Sequence, residues 1–117
     1  MTERFYFTGY LEERVRTMAI EVSNNDGKAV LSLPETFDFN CVEAFRKSYE
    51  GISIPGLRTL VIDLRSTEYM DSSALGMLIQ MQKHFEGKVT DFKIVNCRAN
   101  IKKVLSISRF DRRFDID

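Results

Sequence analysis

One histidine and two cysteines, Cys41 and Cys97, are all that the chain offers of the side chains that most often hold transition metals. The thiols stand far apart, with no Cys-x-x-Cys and no histidine cluster. Neither a zinc site nor a disulfide framework is supported, and two reduced, largely buried thiols are expected. Excess charge is missing as well. Seventeen basic side chains face seventeen acidic ones, so no concentrated positive surface argues for nucleic acid or an anionic membrane. No apolar stretch approaches the ~20 residues that cross a bilayer. The first residues carry aromatics and charges where a secretory signal needs an uninterrupted apolar run, and a cytoplasmic protein is expected. There is no Gly-rich phosphate loop, no internal repeat and no low-complexity segment. Neither a cofactor nor a metal is expected.

What remains is enough for one core. A chain of 117 residues, 44% of them hydrophobic, fits a single domain. Residues 19–23 alternate, Asn24-Asn-Asp-Gly27 is a turn signal and residues 29–33 resume the strand character, which predicts an opening hairpin. Pro34 closes the second strand, and Asp38 or Asn40 can cap the next element. Val42, Phe45 and Tyr49 recur at helical spacing through residues 41–50. Gly51, Pro55 and Gly56 break that helix before an apolar run over residues 57–64 with the character of a covered strand. A second helix spans residues 74–85, a strand covers residues 92–95, and a third helix is centred on Ile101, Val104 and Leu105. Phe110, Phe114 and Ile116 are left for an edge strand or a docked tail. Alternating elements of this kind specify a layered α/β domain.

Residues 1–17 fit the scheme poorly and are expected to form an N-terminal extension before a domain of residues 18–117. An extra helix or a misplaced start would each account for them. Phe5, Tyr6, Phe7, Tyr10 and Leu11 are suited to cover a sheet edge or a neighbouring subunit, and a mobile terminus is the expectation.

The chemistry concentrates in Tyr69-Met-Asp-Ser-Ser-Ala-Leu-Gly-Met-Leu78, which places two hydroxyls behind an acid where a buried strand hands over to a helix. Ser72 is thereby a candidate switch residue. On the residues alone, a serine at a helix start is more often a cap, its oxygen accepting a backbone N–H for ~1 kcal/mol. A nucleophilic serine is less supported still. Ser-Ser-Ala-Leu-Gly is not a Gly-x-Ser-x-Gly elbow, and His84 lies on the same helix, about 18 Å from Ser72 at 1.5 Å per residue. Along that helix the apolar arc is wider than one core needs. Met77 and Met81, adaptable side chains at its margin, are candidates for a docking face.

At Asp71-Ser72-Ser73-Ala74-Leu75-Gly76 the chain resembles the STAS domain family, in particular the bacterial anti-sigma-factor antagonists, whose signature is Asp-Ser-Ser/Thr-Gly-Leu-Gly after a strand. Val61-Ile-Asp-Leu64 resembles the family's central strand, Phe37-Asp38 its hydrophobic-Asp pair, and residues 96–110 its closing strand and helix. Asn96-Cys97, together with the run ending in Met77-Leu78, is similar to a subgroup that pairs with a multidomain response regulator in gammaproteobacteria. Ala74 in place of the usual glycine, and Glu35-Thr36 before the Phe37-Asp38 pair, depart from the pattern without removing an acceptor hydroxyl.

The resemblance implies a single STAS-type α/β domain, a mostly mixed sheet of four to five strands with three to four helices packed against it. It implies phosphorylation of Ser72, with Ser73 the runner-up, by a serine kinase that is also an anti-sigma factor, and reversal by a serine phosphatase. Asp71 would neighbour the acceptor in the kinase-docked loop, and Asp38 would be a nearby acid needed for phosphorylation or docking. The implied protein binds partners and is not an enzyme. The alternative on the same fold is an unmodified adaptor subunit of a signalling scaffold or lipid-transport assembly.

Overall fold

The computed structural model describes residues 3–7 and 20–117. Strand β1 (Glu3–Phe7) pairs antiparallel with β2 (Ile20–Asn25), which pairs antiparallel with β3 (Lys28–Ser32). Asp26 and Gly27 join β2 to β3 with φ of 50° and 79°, the left-handed pair that matches a two-residue turn to strand twist. Gly27 is fixed a second time from outside, because a Cβ there would lie 2.8 Å from the Gly56 carbonyl.

After the hairpin the sheet becomes parallel. β5 (Thr59–Asp63), β7 (Asp91–Val95) and β8 (Asp115–Ile116) come after β3, giving the order β1-β2-β3-β5-β7-β8. Parallel neighbours need crossovers, and the helices supply them: α1 (Val42–Glu50) before β5, α2 (Ser72–His84) before β7 and α3 (Ala99–Ile107) before β8. Apart from the sheet, β4 (Thr36–Phe37) and β6 (Tyr69–Met70) form a short parallel pair of their own.

The core lies between one sheet face and the helices. Ile20, Val22, Ala29, Leu31, Leu60, Ile62 and Ile94 meet Phe45, Ala74, Leu78, Met81, Phe85, Ile101 and Leu105 in one cluster. Each large side chain buried there contributes about 1.5–3 kcal/mol. Phe37, Phe45, Tyr49 and Phe85 run through it edge to face at centroid distances of 5.0 to 6.1 Å. β5 reads as an unbroken apolar run because Val61 is buried as well, outside that cluster.

The class is the expected one, a single small α/β domain with a mixed sheet and, among the described residues, three α-helices. Within residues 20–117 the sheet has five strands, and β1 adds a sixth by pairing Glu3–Phe7 with β2. The other residues of the 1–17 segment, and the expectation of a helix or misplaced start there, lie outside the described residues. Phe110 and Phe114 stack at 5.7 Å beneath β8, so an edge strand and a docked tail are both present. Among the described residues no helix is long and apolar enough to cross a membrane.

Candidate functional site

The β4–β6 pair builds the floor of the site. The Glu35 carbonyl accepts the Glu68 and Tyr69 N–H groups at 2.7 and 3.2 Å, and the buried Thr67 hydroxyl donates to the Pro34 carbonyl at 2.9 Å. These bonds hold the approach to the serines against the segment that carries Asp38. From there the chain enters α2, whose first turn leaves backbone N–H groups without helical partners.

Asp71 meets that demand. In extended conformation (φ −99°, ψ −178°) it caps α2, its Oδ1 accepting the Ala74 N–H at 2.9 Å and the Ser73 hydroxyl at 2.6 Å. The cap is therefore the aspartate, which corrects the expectation of a serine cap. A carboxylate brings two oxygens where a hydroxyl brings one, so a second acceptor remains available. Ser73 is tied down as a donor to Asp71. Ser72 is the first helical residue, exposed, and its hydroxyl has no hydrogen-bond partner among the described residues.

The second Asp71 oxygen reaches across the chain. Oδ2 accepts the Phe39 N–H at 3.4 Å. Phe39 begins a 3₁₀ turn (Phe39–Cys41) capped by Asp38, whose Oδ1 accepts the Asn40 N–H at 3.0 Å. Of the two caps considered from sequence, Asp38 fills the position and Asn40 is its donor. The structure thus brings Asp38, Asp71, Ser72 and Ser73 to one place. Cys41 lies under them, its thiol donating to the Thr36 carbonyl at 3.5 Å. Burial pushes that thiol's pKa up, and the charges of Asp38 and Asp71 push it further.

The Ser73 hydroxyl, followed by the Ala74 and Phe39 N–H groups, holds the Asp71 carboxyl below its ordinary value of 3.8. A depressed carboxylate stabilises the fold above the ordinary pKa, and that contribution is lost as pH falls through the depressed value. Ser73→Ala should raise the Asp71 pKa in an NMR titration. Its unfolding free energy should fall below wild type at neutral pH and converge with it in strong acid.

Met77 and Met81 do not join the site. They are 7% and 0% exposed and sit in the core cluster, which corrects their assignment to a docking face. The apolar arc of α2 is wide because the helix is covered on more than one side: Ala74, Met77, Leu78 and Met81 are buried while Leu75 and Ile79 pack partly buried against the same core. His84 stands at the far end of α2 with its ring 5.2 Å from Tyr49 and 4.7 Å from Phe85. Among the described residues no cluster of His, Cys, Asp and Glu could hold a metal.

Two residues of the site escape sequence reasoning. Phe39 is 68% exposed and Tyr69 55% exposed, although composition would send both inward. Phe37 and Phe39 have the spacing of one strand face, and only the Asp38-capped turn separates them into a buried and an exposed ring. Beside Tyr69, Glu68 pairs with Arg98 at 3.7 Å, and its carbonyl accepts the Asn100 side-chain amide at 3.2 Å.

Comparison with known proteins agrees with this architecture. The model of the STAS domain family matches residues 19–117. A STAS-domain-containing protein of Pseudomonas aeruginosa is 38% identical over 92 residues, 78% of this chain and 90% of the relative. An anti-sigma factor antagonist from Mycobacterium paratuberculosis superimposes with a TM-score of 0.72 at 22% identity, over 83% of this chain and 82% of that one. The Bacillus cell fate determinant SpoIIAA in its phosphorylated form gives a TM-score of 0.63 at 18% identity, over 85% and 91%. At these identities the two structures share its fold.

Proposed function

This chain belongs to the STAS domain family, and from that premise we propose that it is an anti-sigma-factor antagonist that works by partner switching. Unphosphorylated, it captures an anti-sigma factor with serine kinase activity, or a multidomain response regulator in that role, and so frees a sigma factor. Phosphorylated on Ser72 it lets go, and a serine phosphatase restores it. It is a substrate and not a catalyst. The observation that carries the reading is the Ser72 hydroxyl, exposed on the first turn of α2 and without a hydrogen-bond partner among the described residues, while the serine beside it is occupied. Solved structures of its fold include an anti-sigma factor antagonist and a protein in phosphorylated form, which supports the choice.

The physics of that position suits a switch. A phosphoryl group brings about −1.5 to −2 charge at neutral pH, and helix-terminal N–H groups and the helix dipole accept it without refolding. The domain keeps its shape. The cost falls on the interface, where a new dianion beside Asp71 faces a partner fitted to a neutral hydroxyl.

Incubation of the purified protein with extract of its native cells and ATP, followed by mass spectrometry, tests the proposal. Phosphate is expected on the Ser72 peptide and absent from Ser72→Ala. No phosphate, with the same partners retained by wild type, Ser72→Ala and Ser72→Asp, would establish instead a constitutive adaptor.

A further inference from the structure

We infer that the Phe39 ring is the apolar anchor by which the partner grips the Ser72 face. The inference rests on the partner-switch reading and specifies its contact. Among the phenylalanines with described side chains, Phe37, Phe45, Phe85, Phe110 and Phe114 are buried, Phe92 is partly buried, and Phe39 alone is exposed. An exposed ring of this size leaves apolar surface in water that burial would stabilise. It is also held. The Asp38 cap fixes the turn that carries it, and its own N–H is bonded to Asp71, the residue next to Ser72. A backbone turn already fixed has little main-chain freedom left to lose when a partner covers the ring it carries. Tyr69, two residues before Asp71, is a second exposed ring on the segment that leads to Ser72.

Charge specifies the occupant further. Asp38 and Asp71 take part in no salt bridge among the described residues, their bonds going to backbone N–H groups and the Ser73 hydroxyl. An exposed aromatic ring on the residue that follows one such carboxylate and donates its N–H to the other fits a protein face with an apolar pocket rimmed by Arg or Lys. Such a rim, matched to two single charges, leaves a further dianion on Ser72 desolvated and without a counterion. Asp71 serves both sides, capping α2 beside Ser72 through Oδ1 and holding the Phe39 N–H through Oδ2. The anchor and the switch are therefore coupled through one carboxylate.

The test uses the protein that wild type retains and Ser72→Asp does not, purified and titrated calorimetrically against full-length variants. Phe39→Ala should weaken its Kd by about 30-fold or more, the loss of a central anchor, with an unchanged circular dichroism spectrum and unfolding midpoint. Ile107→Ala, which truncates a 72% exposed side chain on α3, should change Kd less than about threefold, as peripheral contacts do. An unchanged Kd for Phe39→Ala, or a larger loss for Ile107→Ala, would overturn the anchor while leaving the switch intact. If no protein shows the retention pattern that defines the probe, the switch itself falls and the anchor falls with it.

Discussion

Ser72→Asp should weaken partner binding by about 100-fold or more, because a desolvated charge left without a counterion at a docked face costs about 3–5 kcal/mol and each 1.4 kcal/mol is tenfold in affinity. Ser72→Ala should bind as wild type does, since among the described residues the hydroxyl makes no bond whose loss would be felt. Both variants should keep the wild-type circular dichroism spectrum and unfold within about 0.5 kcal/mol of it, the usual range for an exposed side chain that neither caps a helix nor packs in the core. The cap of α2 is Asp71, so replacing the neighbouring side chain leaves the helix start supported. Aspartate carries less charge than phosphate, and the phosphorylated wild type should bind more weakly still. A Ser72→Asp protein that is molten, or that binds unchanged, would sink the proposed mechanism in two different ways. The first would make the serine structural, and the second would make its charge irrelevant.

The second large effect concerns stability and not binding. Met81→Ala should cost about 2–5 kcal/mol in urea unfolding, the range for emptying a buried site of that size, because Met81 is fully buried in the core cluster. A domain of ordinary stability has about 5–15 kcal/mol in all, so the variant should be measured under mild conditions. Met81→Leu, which conserves volume, should lose less than about 1.5 kcal/mol. The folded fraction of either variant should bind the partner with wild-type affinity. A loss of affinity at undiminished stability would return Met81 to the docking face from which its burial removes it.

What the sequence shows and what it hides divide along physical lines. The strand around Val61 is legible because both faces of β5 are buried, so apolarity there needs no periodicity to be read. The first helix is legible from Val42, Phe45 and Tyr49, although Val42 is 39% exposed and the buried stripe runs through Ala44, Phe45, Ser48 and Tyr49. β4 and β6 are not, since two-residue strands are too short to show alternation and their pairing is set by the tertiary fold. Met77 and Met81 mislead for a related reason. A helix covered on two sides shows the same wide apolar arc as one with a free sticky face, and only its neighbours tell the two apart. At the site, Asp38, Asp71 and Ser72 emerge from the motif and its resemblance. The choice of Asp71 over a serine as the cap depends on which oxygen reaches the Ala74 N–H. The exposure of Phe39 depends on one turn, which no hydrophobicity scale records.

The bond from the Phe39 N–H to Asp71 joins positions 32 residues apart, and on the proposed reading this would give the serine a conformational epitope in place of a linear one. A synthetic peptide spanning residues 69–78 carries the acceptor hydroxyl and the preceding acid, but neither the Asp38 carboxylate nor the Phe39 ring. An enzyme that docks on the assembled surface would therefore pass over nascent, clipped or misfolded chains that still contain the motif. Modification would be restricted to molecules whose two segments have already met.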